Sequence, residues 1–232
     1  MSIDYSKRPS KSAGGGGGGA TPPPSGPISL TKRGEQVSLT KGGGGSGPVR
    51  INLNWDQQAG KKPAGKGFMN KLQAAAGGGG GIDLDLGCLF ELTDGRKGVV
   101  QALGNAFGSL DGAPWILLDK DDRSGTATDG ENLFISDAHS AQIARVAVFA
   151  FIYQGVKKWS EAAAVVTIHP PGGAPIKIEL DGAQDGQGMC SICTVEGGNS
   201  GYVVQREVQY VGGHRDLDNL YGWGMNWTRG SK

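Results

Sequence analysis

The sequence predicts an all-β protein, a sandwich of two mainly antiparallel sheets with little helix, and three observations support this fold class. Short segments in which apolar and polar residues alternate recur from residue 28 onwards, as in strands that bury one face. The breaks between them carry turn residues, such as Asp94-Gly95 and Asp181-Gly182. Long helical periods are missing from these segments, and about a dozen short strands favour two packed sheets.

The predicted strands follow one another to the end of the chain. They cover residues 28–34, 37–43, 49–56, 82–92, 97–101, 115–118, 132–136, 143–153, 163–168, 175–180, 188–195, 202–210 and 220–227. Gly34 marks the turn between the first two, which share an alternating pattern. In the third, Val49, Ile51 and Leu53 share one face. Residues 160–164 predict a single helical turn.

Two segments do not follow this pattern, one before the first strand and one between predicted strands. Residues 1–27 hold six consecutive glycines and a proline-rich stretch, which predicts a disordered tail, because such a composition buries too little apolar surface to offset the entropy of ordering. Residues 57–81 predict a flexible basic and glycine-rich insertion in a domain that spans 28–232. A short amphipathic helix at 67–76 would give it a membrane or partner contact; a solvated insertion with a hydrophobic anchor is the favoured alternative.

The overall composition limits the class of partner and the compartment. The chain has 232 residues and a net charge of +1, which gives no general attraction to nucleic acid or to an anionic membrane. Only three cysteines are present, too few for a disulfide-rich secreted scaffold. Neither a membrane-spanning apolar run nor the apolar core of a signal peptide is apparent. We therefore expect a cytoplasmic protein without direct membrane insertion.

Two acidic segments stand out as a candidate cation site. In the first, Asp83 and Asp85 alternate with three apolar residues, so both carboxylates would lie on one face of a strand. Neighbouring carboxylates repel each other, and strands disfavour aspartate. The second segment is a glycine-containing loop, and its acids are Asp119, Asp121, Asp122, Asp129 and Glu131.

Calcium is the ion that such segments suit best. It takes six to eight oxygen ligands, which a flexible loop can supply. Magnesium requires tighter octahedral geometry, and zinc is disfavoured because neither segment contains histidine or cysteine. The loop is not an EF-hand, since Ser124 stands where that motif needs glycine. An ordinary solvated acidic turn is the alternative interpretation.

Several stretches, taken in order, resemble the TerD-domain family of tellurite-resistance and bacterial stress proteins. They are Val37-Ser38-Leu39-Thr40-Lys41, Leu53-Asn54-Trp55-Asp56, Ile82-Asp83-Leu84-Asp85-Leu86, Asp121-Asp122-Arg123-Ser124-Gly125 with Asp129-Gly130-Glu131, and Val146-Ala147-Val148-Phe149-Ala150-Phe151-Ile152-Tyr153. The ending, Gly213-His214 and Tyr221-Gly222-Trp223-Gly224-Met225-Asn226-Trp227, agrees with the TerA branch of that family. The resemblance covers about residues 28–232.

The resemblance implies a β-sandwich that binds calcium at the sheet edge. The matching positions imply six ligands: Asp83, Asp85, Asp121, Asp122, Asp129 and Glu131. Members of the TerD type hold two ions. Here Thr126-Ala127-Thr128 stand where acidic and glycine residues are usual, so we expect one firm site and leave a second open.

The function implied by the resemblance is non-catalytic. It is a role in tellurite-oxyanion resistance and stress response, within a membrane-associated complex of Ter-type proteins that includes an integral membrane partner of the TerC type. The protein would then lie at the inner face of the membrane as a peripheral member. Two alternatives stay open: a homo-oligomeric or filament-forming scaffold that pairs free sheet edges, and a metal-dependent hydrolase that uses paired carboxylates.

The cysteines and histidines suggest no further chemistry. Cys190 and Cys193 have redox-motif spacing, but they lie in a strand pattern with no source of a lowered thiol pKa. We interpret them as strand cysteines near opposite faces. His139, His169 and His214 are far apart in the sequence, without a nucleophile nearby. We interpret them as packing or surface residues, and residues 212–216 as a polar turn that could border the calcium site.

Overall fold

The computed structural model describes residues 26–40, 45–56, 82–119, 130–154, 158–181 and 184–228. Its strands are β1 (Ile28–Leu30), β2 (Gln36–Thr40), β3 (Val49–Asn54), β4 (Asp83–Leu92), β5 (Lys97–Gln101), β6 (Gly108–Ser109), β7 (Ile116–Leu118), β8 (Glu131–Ile135), β9 (Ile143–Gln154), β10 (Val165–His169), β11 (Ile176–Glu179), β12 (Met189–Gly198) and β13 (Gly201–Val211). The α-helices are α1 (Trp159–Ala162) and α2 (His214–Tyr221), and 3-10 turns occur at Leu103–Asn105 and Asp137–Gln142.

The strands form two sheets, which confirms the predicted fold class. The seven-stranded sheet has the order β1-β11-β10-β3-β8-β7-β6, and the six-stranded sheet has the order β2-β13-β12-β9-β4-β5. Among the described strands, β1 pairs with β11 in parallel and the other neighbours are antiparallel.

The core between the sheets is built from the alternation seen in the sequence. On β3, Val49, Ile51 and Leu53 are buried against it, whereas the residues between them face away. On β9, Val146, Val148 and Ala150 point into the same core. Because a strand places successive side chains on opposite faces, the pattern of each strand is enough to orient it.

A second apolar layer covers the outer face of the six-stranded sheet. We call it the outer cluster, and its buried members are Leu89, Ala147, Phe149, Phe151, Met189, Leu217 and Trp223. The central strand β9 is therefore buried on both faces, which explains its almost continuous apolar sequence. Helix α2 and the residues after it supply the cover.

The predicted strand at 220–227 is wrong. Residues His214–Tyr221 form α2, and Leu217 and Tyr221 lie four residues apart on its packed side. Gly222 ends the helix at φ 61°, the left-handed conformation that glycine adopts at helix C-termini. Residues 222–228 then continue without regular structure; we call them the C-terminal strap.

Strands β1 and β2 occupy different sheets, although their sequences are alike. Gly34 (φ 83°) makes the turn between them as expected, and its N–H donates to the carbonyl of Arg206. The turn carries the chain from the seven-stranded to the six-stranded sheet. Sequence alternation cannot distinguish these placements, because it reports only which face of a strand is buried.

Most of the remaining predicted elements are present in the structure. The other predicted strands and the helical turn near residue 160 are present with shifted ends, while β6 and the 3-10 turns were not predicted. The predicted insertion at 57–81, and the predicted tail apart from residues 26 and 27, lie outside the described residues. The described part of the chain has no helix of the length and apolarity needed to cross a membrane.

Candidate metal centre

The first half of β4 extends beyond the strand that flanks it. Strand β5 pairs with β4 only from Gly87 to Glu91, whereas β9 follows β4 back to Asp83. In this half, the backbone N–H of Leu86 donates to Oε2 of Glu131 at 2.5 Å. Since Glu131 begins β8 of the seven-stranded sheet, this hydrogen bond joins the two sheets at their edge.

The two aspartates of β4 lie as the alternation predicts. Ile82, Leu84 and Leu86 point into the core between the sheets, so Asp83 and Asp85 occupy the opposite face. Asp85 is only 1% exposed, and Asp83 is partly buried. Withdrawing a carboxylate from water is costly unless charge or hydrogen bonds compensate it. Asp85 precedes Leu86, the residue whose backbone N–H contacts Glu131.

Strand β8 is held in the register that directs Glu131 towards β4. Asn52 on β3 donates to the Glu131 carbonyl at 3.4 Å and to Oδ1 of Asn132 at 3.0 Å. Gly130 has φ 69°, and a Cβ there would lie 2.0 Å from the carbonyl oxygen of Leu53. Only glycine lets the chain enter β8 this close to β3.

The predicted ligands are described only in part. Asp83, Asp85 and Glu131 are described, while Asp121, Asp122 and Asp129 fall outside the described residues. Within the described ranges, no three His, Cys, Asp or Glu side chains form a group that could hold a metal. The donors are all carboxylates, which suit a hard cation such as calcium. The six-ligand set stays a prediction.

The predicted placement of Cys190 and Cys193 is wrong. Cys190 and Cys193 were expected near opposite strand faces, yet both are fully buried in the core between the sheets with Cys88. The register of β12 shifts between Ser191 and Cys193, and this bulge returns Cys193 to the inner face. Burial raises the pKa of the Cys193 thiol to about 12 and raises those of Cys88 and Cys190 further. Such thiols are inert at neutral pH.

The histidines pack, as expected. The His139 ring is stacked on Trp115 with centroids 4.9 Å apart. His214 lies edge-on to Phe149 and Phe151 in the outer cluster, and its Nε2 is 2.7 Å from Oε1 of Gln101 at the end of β5. Burial lowers the pKa of His214. The predicted polar turn at 212–216 is the start of α2.

The C-terminal strap is organised by one buried carboxylate that the sequence interpretation missed. Asp218 accepts hydrogen bonds from the backbone of Gly224 (2.7 Å) and Met225 (2.8 Å) and from Nε1 of Trp227 (2.7 Å). Burial raises the pKa of Asp218, but these hydrogen bonds outweigh it and the net pKa is lowered. The signals for this arrangement were the spacing of Leu217 and Tyr221 and the glycine that follows them.

The sheet also holds the strap at its other end. The guanidinium of Arg145 lies 4.0 Å from the centroid of the Trp223 ring and donates to the carbonyl of Tyr221 at 3.0 Å. Trp223 Nε1 donates to the carbonyl of Phe90 at 3.1 Å. The strap is therefore anchored to both β4 and β9.

A protein of known role resembles this chain in sequence over most of the chain's length. No family model matches it. The chain is 42% identical over 205 residues to the tellurium resistance protein TerA of an Alcaligenes species, a match that covers 88% of this chain and 58% of that protein. The chain thus spans less than two thirds of that relative.

Two solved structures superpose on part of this chain. SAV2460, a protein of unknown function, superposes with a TM-score of 0.52 at 16% identity, over 75% of this chain and 95% of that one. A homologue of the telluride resistance protein TerD, SCO6318 from Streptomyces coelicolor A3(2), superposes over the same shares with a TM-score of 0.49 at 19% identity. The first likeness shows the fold alone. The resemblance to the tellurium-resistance family is confirmed by the sequence match, and over 205 residues this chain is a relative of TerA.

Proposed function

We propose that this chain is a non-catalytic, calcium-binding module that contributes to tellurium-oxyanion resistance. The observation that carries the proposal is the 42% identity to a tellurium resistance protein over 205 residues. In this proposal the module acts in a membrane-associated complex with other Ter-type proteins and an integral membrane partner of the TerC type.

The proposed calcium site is supported by the hydrogen bond between Glu131 and Leu86, which joins the two sheets at their edge. Glu131 crosses from β8 to the backbone of β4, next to Asp85, which is almost fully buried. Asp83 and the loop acids Asp121, Asp122 and Asp129 complete the proposed ligand set. Calcium bound there would offset the carboxylate charge and stabilise the junction between the sheets. The proposal is one firm calcium site, and it leaves a second site open.

The non-catalytic part of the proposal is supported by the surroundings of two kinds of potential nucleophile, the cysteine thiols and the Ser136 hydroxyl. Each cysteine of the chain is buried with a raised pKa. Ser136 and His139 are hydrogen-bonded at 2.9 Å, but they sit three residues apart at the start of a 3-10 turn. Among the described residues no carboxylate bonds the His139 ring, so the third member of a catalytic triad is missing there.

Resistance of cells to tellurite tests the function. A bacterial host that carries the other Ter-type proteins, and is tellurite-sensitive because it lacks this one, would express the wild-type chain, Asp85→Asn, Glu131→Gln or the control Asp94→Asn, whose carboxylate pairs with Arg96 in an exposed turn. We expect the wild type and the control to raise the inhibitory tellurite concentration and the two edge variants to lose most of that increase. Full resistance from both edge variants at equal protein levels would refute the link between the edge and resistance.

The position of β2, which pairs on one side only among the described strands, favours a second candidate function, the homo-oligomeric scaffold. Strand β2 (Gln36–Thr40) is an outer strand of the six-stranded sheet. It carries no charge and no proline, the usual devices that prevent edge pairing. Light scattering of the wild type and Ser38→Lys separates the two functions, since a scaffold would show an oligomer that the added charge disrupts.

A further inference from the structure

A cavity lies on the outer face of the six-stranded sheet. It has a volume of about 670 Å³ and opens between the end of β5, the start of α2 and the C-terminal strap. We call it the strap cleft. Its apolar surface comes from Val99, Leu103, Met225 and Trp227, and polar groups converge on it from Gln101 and α2. This volume falls within the usual range of small-molecule sites.

The walls of the strap cleft are fixed before any ligand arrives. The indole of Trp227 is oriented by its hydrogen bond to Asp218 (2.7 Å), and its ring lies 5.1 Å from that of His214. The His214 ring is held in turn by Gln101 at 2.7 Å. A flat apolar ligand would therefore meet an aromatic surface that loses little conformational freedom on binding.

Arg215 at the strap cleft makes few contacts with other described residues. Arg215 is exposed, makes a single long hydrogen bond to the carbonyl of Trp227 at 3.5 Å, and forms no ion pair with a described residue. By contrast, Arg33, Arg96, Arg145 and Arg206 all pair with carboxylates.

Asp216 also lines the strap cleft. Its Oδ2 lies 2.5 Å from the position that a Cβ on Gly212 would take, and no ion pair joins Asp216 to a described cation. The His214 imidazole in the wall stays neutral at pH 7, because burial lowers its pKa. Arg215 is thus a cation in the lining of the strap cleft that has no carboxylate partner among the described residues.

We propose that the strap cleft binds a small molecule with a flat apolar body and one anionic group. The body would lie against Trp227, Met225 and Leu103, and the anion would pair with the guanidinium of Arg215. Arginine offers several donors in a planar fork that matches carboxylate, phosphate or sulfonate oxygens. This proposal rests neither on calcium nor on the proposed function, so a negative result for one does not refute the other.

Gly213 offers a way to fill the strap cleft. It lies in the lining, a Cβ there meets no atom within 4 Å, and its φ of 175° suits any residue. Gly213→Leu should therefore reduce the space for a ligand without straining the backbone.

Binding of 1-anilinonaphthalene-8-sulfonate, an anionic flat probe, tests the proposal in the intact chain by calorimetry and fluorescence. We expect one saturable site, about tenfold weaker binding (about 1.4 kcal/mol) in Arg215→Gln and in Gly213→Leu, and a change of less than about twofold in the control Arg96→Gln. The uncharged N-phenyl-1-naphthylamine should bind at least about tenfold more weakly than the sulfonate.

Three results would overturn it: no saturable binding to the folded wild type, unchanged affinity in Arg215→Gln, or equal affinity for the charged and uncharged probes. Thermal unfolding of each variant shows whether it is folded. Because Arg215 is exposed and makes one weak contact, its replacement by glutamine should leave the fold intact.

Discussion

Oε2 of Glu131 on β8 accepts a hydrogen bond from the backbone N–H of Leu86 on β4, and this 2.5 Å contact ties the edge of one sheet to the edge of the other. The residue before Leu86 is the buried Asp85. A single side chain therefore links the packing of the sandwich to the place where an ion is proposed.

Calcium should stabilise the folded protein, and Glu131→Gln should abolish that response. An ion that binds only the folded state adds about 2.7 kcal/mol when its concentration is 100 times its Kd, which raises the melting temperature by roughly 5–10 °C for a chain of this size. Glutamine can still accept the Leu86 hydrogen bond, but it lacks the charge. Calorimetric melts with calcium and with chelator measure both effects.

The same melts contain their own control. In chelator, Glu131→Gln should melt close to the wild type, since the hydrogen bond persists. Asp94→Asn, in an exposed turn, should keep the full calcium response. An identical midpoint for the wild type with and without calcium would rule out the ion as a structural element.

Gly130→Ala should destabilise the fold by about 2–3 kcal/mol. The new Cβ would meet the carbonyl oxygen of Leu53 at 2.0 Å, and the backbone has φ 69°. Gly95→Ala is a matched control, because it has φ 85° but no atom within 4 Å; its cost should be about 1 kcal/mol. Urea denaturation gives both values, and equal costs would show that the close approach to β3 is unimportant.

Asp218→Asn should loosen the C-terminal strap. The carboxylate accepts three hydrogen bonds, and an amide presents one oxygen and an NH₂ group that clashes with donors. We expect a loss of about 2–3 kcal/mol and a red shift of tryptophan emission as Trp223 and Trp227 gain water. Asp216→Asn, on the exposed side of α2, should change neither. A native emission spectrum for Asp218→Asn would contradict the assigned role.

His214 should titrate below the ordinary histidine pKa of about 6.5. Burial lowers its pKa in the folded protein, so the unfolded state binds protons at higher pH than the folded state. Its contribution to stability is therefore complete above about pH 6.5 and decreases as the pH falls through the lower folded pKa. NMR titration of the imidazole signals measures the shift, and a folded pKa at or above 6.5 would show that the ring is solvated.

The three thiols should be unreactive in the native state. Cys88, Cys190 and Cys193 are buried with raised pKa values, and the thiolate is the reactive form. A chromogenic disulfide reagent should therefore label none of them at pH 8 and all of them in denaturant. Rapid native labelling of any thiol would show that the core between the sheets opens, and would return thiol chemistry to consideration.

Local patterns were sufficient for most of the fold. The alternation in 49–56 and 82–92 identified strands and oriented their faces, because the two-residue period is a property of the extended backbone alone. It placed Ile82, Leu84 and Leu86 in the core and Asp83 and Asp85 opposite them. The acids of the candidate site were thus visible in the sequence, and residue order supplied the family resemblance.

Features that depend on distant partners required the tertiary structure. The pattern of β1 and β2 does not say which sheet each joins, since pairing with β11 or β13 is decided over more than 100 residues. The bulge in β12 reverses the parity that would separate Cys190 from Cys193. The tryptophan and glycine residues near the C-terminus alternate like a strand, but Asp218 binds three donors there and fixes a strap.

The residues at the acidic edge could therefore be proposed from the sequence alone. Only the packing of the two sheets decided that Glu131 reaches across to Leu86, because that contact joins strands with no sequence signal in common.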